Sequence, residues 1–264
     1  FFALCSFLGL NVQRIEIDRE GIIPDAFEKA CRRGNVHVLY LIPSLANPFL
    51  YLMPHERRKA VVEIARKYDV HIIENDVLGP LVANKPPTIA SMAPERTFYL
   101  TSFTKAILPG MRTGYLVVPP SMVREVRNRI LATNWMATPL TAEIASQLIS
   151  NGTMRKLLIW QRKALVERYK IAHHALSGTD FLSHPNGLHI WLPLPGRWRS
   201  SNFVDQAMEQ GVAVAPSDPF QVDYSNLKAV RVSLGACSCE DLQRGLRVIR
   251  QLLEKEEELT VYSF

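Results

Sequence analysis

The sequence predicts an α/β protein: a three-layer α/β/α large domain followed by a smaller α+β domain. Three observations carry this. Short apolar runs alternate with longer segments of helical period, the pattern expected when helices cover both faces of a largely parallel sheet. That alternation gives way to helical segments beyond Pro120 and returns after Gly187. The 264 residues are 47% hydrophobic, enough to bury a core in one large domain or in a large and a small one.

The elements follow in chain order. VHVLYLIP at 36–43 reads as a buried strand. The segment 54–68 reads as a helix, with Val61, Ile64, Ala65 and Tyr68 on one face and Pro54 in its first turn. VHIIEND at 70–76, TFYLTS at 97–102 and TGYLVVP at 113–119 are further strands. Helices are expected at 121–133, at 139–151 and from about 154 to 176. LHIWLPLP at 188–195, VAVAP at 212–216 and AVRVSL at 229–234 read as strands, with a helix at about 202–210. The last helix opens on Ser238-x-x-Asp241, a capping-box-like start, and lines Leu242, Leu246, Ile249 and Leu253 on one face. The expected division is a large domain at 1–152, then the long connecting helix and small domain at 153–264.

Charge and cysteine usage narrow the function classes. Lys and Arg total 31 against 25 Asp and Glu, a formal +6, but the basic residues are spread among acids, as on a mildly basic enzyme-like surface rather than a nucleic-acid footprint. No run of about eighteen uninterrupted apolar residues occurs, and FFALCSFLGL passes at once into NVQRIEIDREG, so neither a membrane span nor a signal peptide is expected. Cys5, Cys31, Cys237 and Cys239 form no CxxC pair, which fits a reduced, cytoplasmic protein. His173 and His174 are adjacent on a helix and diverge by about 100°, so they make no metal site, and none is expected elsewhere.

The chemistry concentrates in Thr101-Ser-Phe-Thr-Lys-Ala-Ile-Leu-Pro-Gly-Met-Arg-Thr-Gly-Tyr115. A lysine just past a strand end, preceded by Ser102 and Thr104 and followed by Arg112, can form an imine while its neighbours bind a phosphate. The segment resembles the S-x-[ST]-K-x-x-x-P-G-x-R-x-G-Y signature of class I/II aminotransferases, enzymes of fold type I that use pyridoxal 5'-phosphate (PLP). Pro43-Ser-Leu-Ala-Asn47-Pro48 resembles the family's Asn-Pro element, and Val230-Arg231-Val232-Ser233 its small-domain arginine. The resemblance implies that Lys105 holds PLP as a Schiff base and is the catalytic residue. It implies that Ser102, Thr104 and Arg112 bind the phosphate, that Asn47 meets the phenolic oxygen, and that Arg231 clamps a substrate carboxylate through a bidentate fork.

Two departures from the family pattern stand out. Where the family has E-D-D-x-Y, this chain has Glu74-Asn75-Asp76-Val77-Leu78. A gap-free alignment puts Asn75 at the position of the aspartate that meets the pyridine nitrogen, and Leu78 at the tyrosine. Side chains alternate along a strand, so Asn75 and Asp76 point to opposite faces, and the sequence leaves open which one meets the ring. The chain also opens where such domains have already completed roughly a hundred residues, judged against their usual length. It therefore reads as an N-terminally truncated PLP-dependent transferase-like domain.

Within the superfamily, ThrAsnTrpMetAlaThrProLeu at 133–140, AlaGluIleAlaSer at 142–146, LeuHisIleTrpLeuProLeuPro at 188–195 and GlyValAlaValAlaPro at 211–216 resemble the effector domain of MocR-type regulators in the GntR group. That resemblance implies the effector-sensing and dimerisation part of a transcriptional regulator. It would take an amino acid or amine ligand, form a homodimer and meet DNA through a winged-helix domain upstream of residue 1. Two alternatives stay open: a free-standing aminotransferase acting on an amino acid and a 2-oxo acid, and a catalytically dead interaction module in which Lys105 forms no imine.

Overall fold

The computed structural model describes residues 2–220 and 227–254. The chain forms two compact units. The first takes the residues up to Asn47 together with Tyr51–Lys163, and the second takes Pro48–Leu50 together with the chain from Ala164 onward.

The first unit opens with helix α1 (Phe2–Phe7), a small antiparallel pair β1 (Ile17–Asp18) and β2 (Gly21–Ile22), and helix α2 (Pro24–Arg32). Its centre is a four-stranded sheet of β3 (Val38–Leu41), β4 (His71–Asn75), β5 (Thr97–Ser102) and β6 (Gly114–Val117), hydrogen-bonded in that order. The first three strands run parallel and β6 runs antiparallel to β5. Helix α3 (His55–Lys67) and the short α4 (Ile89–Met92) connect the parallel strands. Pro54 is the N-cap residue of α3, with φ −63° and ψ 157°, one position ahead of the first turn expected from sequence. The core beneath this sheet gathers Phe27 and Cys31 of α2, Leu39 and Leu41 of β3, Val61, Val62 and Ala65 of α3, Ile72 of β4 and Ile89 of α4. The four-residue helix α5 (Phe103–Ala106) follows β5 directly, and α6 (Val123–Asn134), α7 (Pro139–Ser150) and the start of α8 (Thr153–Ala175) complete the unit. The helical segment expected at 121–133 opens with a 3-10 turn at Pro120–Met122 and becomes α-helical at Val123.

The second unit carries the end of α8, a three-stranded antiparallel sheet of β7 (His189–Pro193), β8 (Ala215–Pro216) and β9 (Ala229–Ser233), and helices α9 (Ser200–Glu209) and α10 (Cys239–Glu254). Strand β9 lies in the middle. The pairing in β8 covers two residues where VAVAP suggests five, because Val212, Ala213 and Val214 lie outside the ladder. One half of the capping box of α10 forms, with Asp241 N donating to Ser238 Oγ at 3.1 Å, while the Asp241 side chain accepts from Ser238 Oγ at 2.8 Å. Leu252, rather than Leu253, shares the buried face with Leu242, Leu246 and Ile249.

The segment Pro48–Leu50 is seated in this second unit. His189 Nε2 donates to the Pro48 carbonyl at 3.0 Å, and the Phe49 ring meets Trp191 edge-on at 5.8 Å. A Cβ on Gly187 would lie 2.9 Å from the end of the Leu50 side chain and 3.1 Å from the His184 carbonyl, so the close packing favours glycine there. Burial lowers the pKa of His189 from 6.5 to about 4, with Arg231 adding to the shift. Between those values the unfolded chain takes up a proton that the folded chain refuses. The His189 contribution is therefore fully present above pH 6.5 and is lost as pH falls toward 4, by about 3 kcal/mol. Urea denaturation from pH 7 to 4 is expected to show a steeper loss in the wild type than in His189→Gln; equal slopes would contradict it.

Candidate active site

Because β3, β4 and β5 are parallel and β6 is antiparallel, the carboxyl ends of the first three strands and the start of β6 lie at one edge of the sheet. Ligands of open α/β sheets bind at such an edge. It carries Asn75 as the last residue of β4, Asp76 immediately after it and Ser102 as the last residue of β5. Thr104 and Lys105 follow on α5, and Arg112 precedes β6. Asn47 lies beyond the carboxyl end of β3 and is exposed. Arg231 sits on β9 of the second unit.

The turn bearing the lysine is held from below. Phe103 and Ala106 are buried on α5, and Phe103 packs with Met111 and Ala145. Phe103 N donates to the Thr113 carbonyl at 3.1 Å, and Thr113 Oγ1 to the Met111 carbonyl at 2.9 Å. These anchors leave Lys105 exposed and Ser102 and Thr104 half-buried. Gly114 pairs with Ser102, and a Cβ on it would meet the Thr101 carbonyl at 3.1 Å, so the close approach of the two strands favours glycine. Arg112 is exposed and adopts a left-handed backbone, φ 47° and ψ 25°. Such a conformation costs an L-residue about 1–2 kcal/mol and concentrates at ligand-binding turns.

At the end of β4 the side chains part as the alternation demands. Asn75 Nδ2 donates to the Tyr40 hydroxyl at 2.7 Å, and Val77 N donates to Asn75 Oδ1 at 3.4 Å. Asp76 turns to the other face and is fully buried. Its Oδ2 accepts from Tyr99 at 3.0 Å and from Lys85. Its Oδ1 has no hydrogen-bond partner among the described residues. A Cβ on Gly79 would lie 2.2 Å from the Asp76 carboxylate, so only glycine leaves room for that carboxylate. Burial and then the Asp76 charge push the Tyr99 hydroxyl well above its ordinary range. On the same face, buried Glu74 accepts from Ile89 N at 3.0 Å and Ala90 N at 2.8 Å, with Arg58 at 3.8 Å. Leu78, at the position of the family tyrosine, is buried and offers no hydroxyl.

In the second unit, Arg231 is half-buried, and its guanidinium lies 4.9 Å from the centre of the Phe220 ring. Trp191 meets Phe220 edge-on at 5.7 Å. Burial lowers the Arg231 pKa, and a guanidinium backed by an aromatic face keeps its fork oriented.

The residues present fit PLP by their chemistry. A guanidinium and two hydroxyls suit a phosphate, an exposed amine suits the aldehyde, and an amide at the strand end suits the ring nitrogen. Tyr40, Lys85, Tyr99, Arg58 and Glu74 were not singled out from sequence. The signal for Tyr40 was a polar-tipped aromatic inside an apolar strand, since a buried tyrosine hydroxyl usually finds a partner. Among the described residues, no helix is long and apolar enough to cross a membrane, and no group of three His, Cys, Asp or Glu could hold a metal.

Comparison with known proteins agrees with this geometry. The model of aminotransferase classes I and II matches residues 4–249. An uncharacterised HTH-type transcriptional regulator of Bacillus subtilis, YdeF, is 30% identical over 95% of this chain and 55% of its own length. The chain spans about half the length of that regulator and of two others from the same organism. Among solved structures, an archaeal alanine:glyoxylate aminotransferase superposes with a TM-score of 0.84 at 25% identity, over 93% of this chain and 64% of that one. LysN, the alpha-aminoadipate aminotransferase of Thermus thermophilus complexed with N-(5'-phosphopyridoxyl)-L-leucine, has the same fold, with a TM-score of 0.86 at 23% identity over 93% and 66%. The fold is that of the fold-type I aminotransferases. With the family model matching residues 4–249, the protein belongs to the class I and II aminotransferase family, whose cofactor is pyridoxal 5'-phosphate.

Proposed function

We propose that this chain is the cofactor-binding, effector-sensing and dimerising part of a MocR-type regulator of the GntR group, a cytoplasmic protein that meets DNA through a winged-helix domain ahead of residue 1. The carrying observation is Asn75: the strand end that faces away from the Asp76 carboxylate offers an amide. The likeness to YdeF over 95% of this chain supports the same reading.

PLP, when bound, supplies an aldehyde for the amino group of a ligand and a ring that withdraws electrons from its α-carbon. Lys105 would hold the cofactor, and its amine is the group placed to move the α-proton as base and acid. Ser102, Thr104 and Arg112 would hold the phosphate, Asn47 would meet the phenolic oxygen, and Arg231 would hold the ligand carboxylate. Asn75 would face the ring nitrogen. A carboxylate there would keep the nitrogen protonated and the ring electron-poor, whereas an amide has no charge with which to do so. Holding the cofactor through Lys105 would depend little on that charge, while proton removal from the α-carbon would depend on it strongly. The site thus suits reversible capture of an amino acid, whose binding biases the arrangement of the protein by population shift.

The free-standing aminotransferase reading, favoured by the likeness to the archaeal alanine:glyoxylate enzyme, predicts fast turnover. Stopped-flow spectra of the full-length protein with a panel of amino acids separate the two. Rapid displacement of Lys105 followed by slow amino-group transfer is expected. Asn75→Asp should accelerate the transfer about tenfold, the effect of roughly one pKa unit expressed in the barrier. Fast transfer in the wild type, unchanged by Asn75→Asp, would refute the regulator reading.

A further inference from the structure

Arg231 lies on β9, the middle strand of its sheet, so its backbone is paired on both edges. Its side chain has no such restraint of its own, because a long flexible stem lets a guanidinium take many orientations. Strand alternation decides what surrounds it. Ile190 and Leu192 of β7 and Val230 and Val232 of β9 face the core of the second unit. Trp191 and Arg231, paired across the two strands, therefore stand together on the opposite face, with Ala215 of β8 paired to Arg231 on its other side.

On that face three rings form a ladder that ends at the guanidinium. Phe49 meets Trp191 edge-on at 5.8 Å, Trp191 meets Phe220 edge-on at 5.7 Å, and the Arg231 guanidinium lies over the Phe220 ring at 4.9 Å. Trp191, the middle ring, is buried, whereas Phe49 and Phe220 are half-buried. The positive charge is drawn to the negative face of the Phe220 ring. A phenyl ring has no lone pair to capture an N–H, so stacking fixes the plane of the guanidinium without engaging its donors. A bidentate pair needs that plane fixed, since two N–H groups must meet two carboxylate oxygens at once. His189, whose pKa the Arg231 charge helps to lower to about 4, is neutral at physiological pH and adds no second positive charge.

We propose that Phe220 is the specificity-determining positioning residue of this site: it holds the Arg231 fork in the plane that receives a carboxylate, and so selects amino acids against amines that lack one. This rests on the reading that Arg231 holds the ligand carboxylate. Ordering in advance matters because a side chain that is ordered only on binding subtracts its entropy from the affinity. With the fork already set, a carboxylate gains two charge-assisted hydrogen bonds, and an amine without a carboxylate gains neither. Phe220 touches neither ligand nor cofactor and acts through Arg231, with Trp191 and Phe49 bracing its ring.

The test is calorimetric titration of the full-length protein loaded with PLP, after borohydride fixation of a sample on Lys105 has shown that the site is loaded. L-phenylalanine is compared with 2-phenylethylamine, and L-alanine with ethylamine, the members of each pair differing only in the carboxyl group. The wild type is expected to prefer each amino acid by at least about tenfold. Phe220→Leu should weaken the amino acids about five- to tenfold and leave the amines unchanged, while Phe220→Tyr, which keeps the ring, should retain the preference. If Phe220→Leu does not fold, 3,4,5-trifluorophenylalanine at position 220 keeps the shape and drains charge from the ring face, and should lower the preference in the same direction. A role in packing alone would not respond to that fluorination. Arg231→Met separates the two levels of the argument. If it leaves the preference intact, Arg231 does not hold the carboxylate, and the functional reading fails together with this proposal. If it abolishes the preference while Phe220→Leu and the fluorinated protein keep it at the wild-type value, the role of Phe220 alone is overturned. A wild type that binds amines as tightly as amino acids overturns the proposed selectivity.

Discussion

Replacing Lys105 with alanine in the full-length protein is expected to abolish the near-ultraviolet to blue absorption of the lysine–cofactor linkage and to leave nothing for borohydride to fix. The turn explains why the loss should be clean. Lys105 is exposed on α5, whereas the neighbours that hold α5 in place, Phe103 and Ala106, are buried. The substitution removes the amine and leaves the packing of Phe103 with Met111 and Ala145 untouched. Stability should therefore stay within about 0.5 kcal/mol of the wild type, as for surface substitutions generally. Any cofactor still bound would be held by its phosphate contacts alone, so gel filtration should strip it. Peptide mapping after reduction provides the decisive check: a label on any other lysine would mean that Lys105 does not hold the cofactor.

The second large effect is on stability. Arg58 is fully buried, and its guanidinium donates to the carbonyls of Met53 at 3.0 Å, Pro87 at 3.1 Å and Pro43 at 3.2 Å, and to Ser44 Oγ at 3.3 Å. Glu74 lies 3.8 Å away, also fully buried. Burial lowers the pKa of Arg58 and raises that of Glu74, the direction desolvation dictates for each. Arg58→Ala would leave a buried carboxylate without its countercharge and the carbonyls of Met53, Pro87 and Pro43 each short of one donor, although Pro43 keeps the bond from Met53 N at 2.8 Å. A loss of about 3–5 kcal/mol is expected, the range for breaking a buried pair by removing one partner. Glu74→Gln should cost less, because the amide still accepts one backbone N–H. Denaturation curves ranking Arg58→Ala no worse than Glu74→Gln would show that the guanidinium does not organise these loops.

Much of this architecture was legible in the sequence because the informative elements are periodic. The strands at 36–43, 70–76 and 97–102 are apolar runs, and α10 has both a cap and a stripe, so their signals are local. Pairing is not local: nothing in VAVAP shows that the ladder takes up only Ala215 and Pro216. Within the first thirty-five residues, β1 and β2 are two residues each and are fixed by their pairing rather than by pattern, whereas α2, which opens on Pro24 and buries Phe27, Ala30 and Cys31, carries a local signal that the expected elements omit. At the site, the lysine turn could be recognised because its residues are contiguous. Strand alternation placed Asn75 and Asp76 on opposite faces, but their partners Tyr40, Tyr99 and Lys85 come from distant stretches of chain. Asp76 shows the limit most clearly, since a carboxylate beside the expected position binds Lys85 and Tyr99 instead of standing open.

The three residues Pro48–Leu50 have a consequence for how this protein can be made and cut. They belong to the second unit although they are synthesised among the strands of the first, and the bond from His189 to Pro48 spans 141 positions. Closing a loop of that length costs roughly 4 kcal/mol of chain entropy. On the ribosome, this segment must wait for more than a hundred further residues before its socket beside Gly187 and Trp191 exists. A gene fragment that starts at Ala164, the natural place to divide the chain by eye, would encode the socket without its plug. Such a fragment should gain helix and solubility when a peptide carrying Pro48-Phe49-Leu50 is supplied in trans, making the second unit a two-piece protein in an otherwise continuous chain.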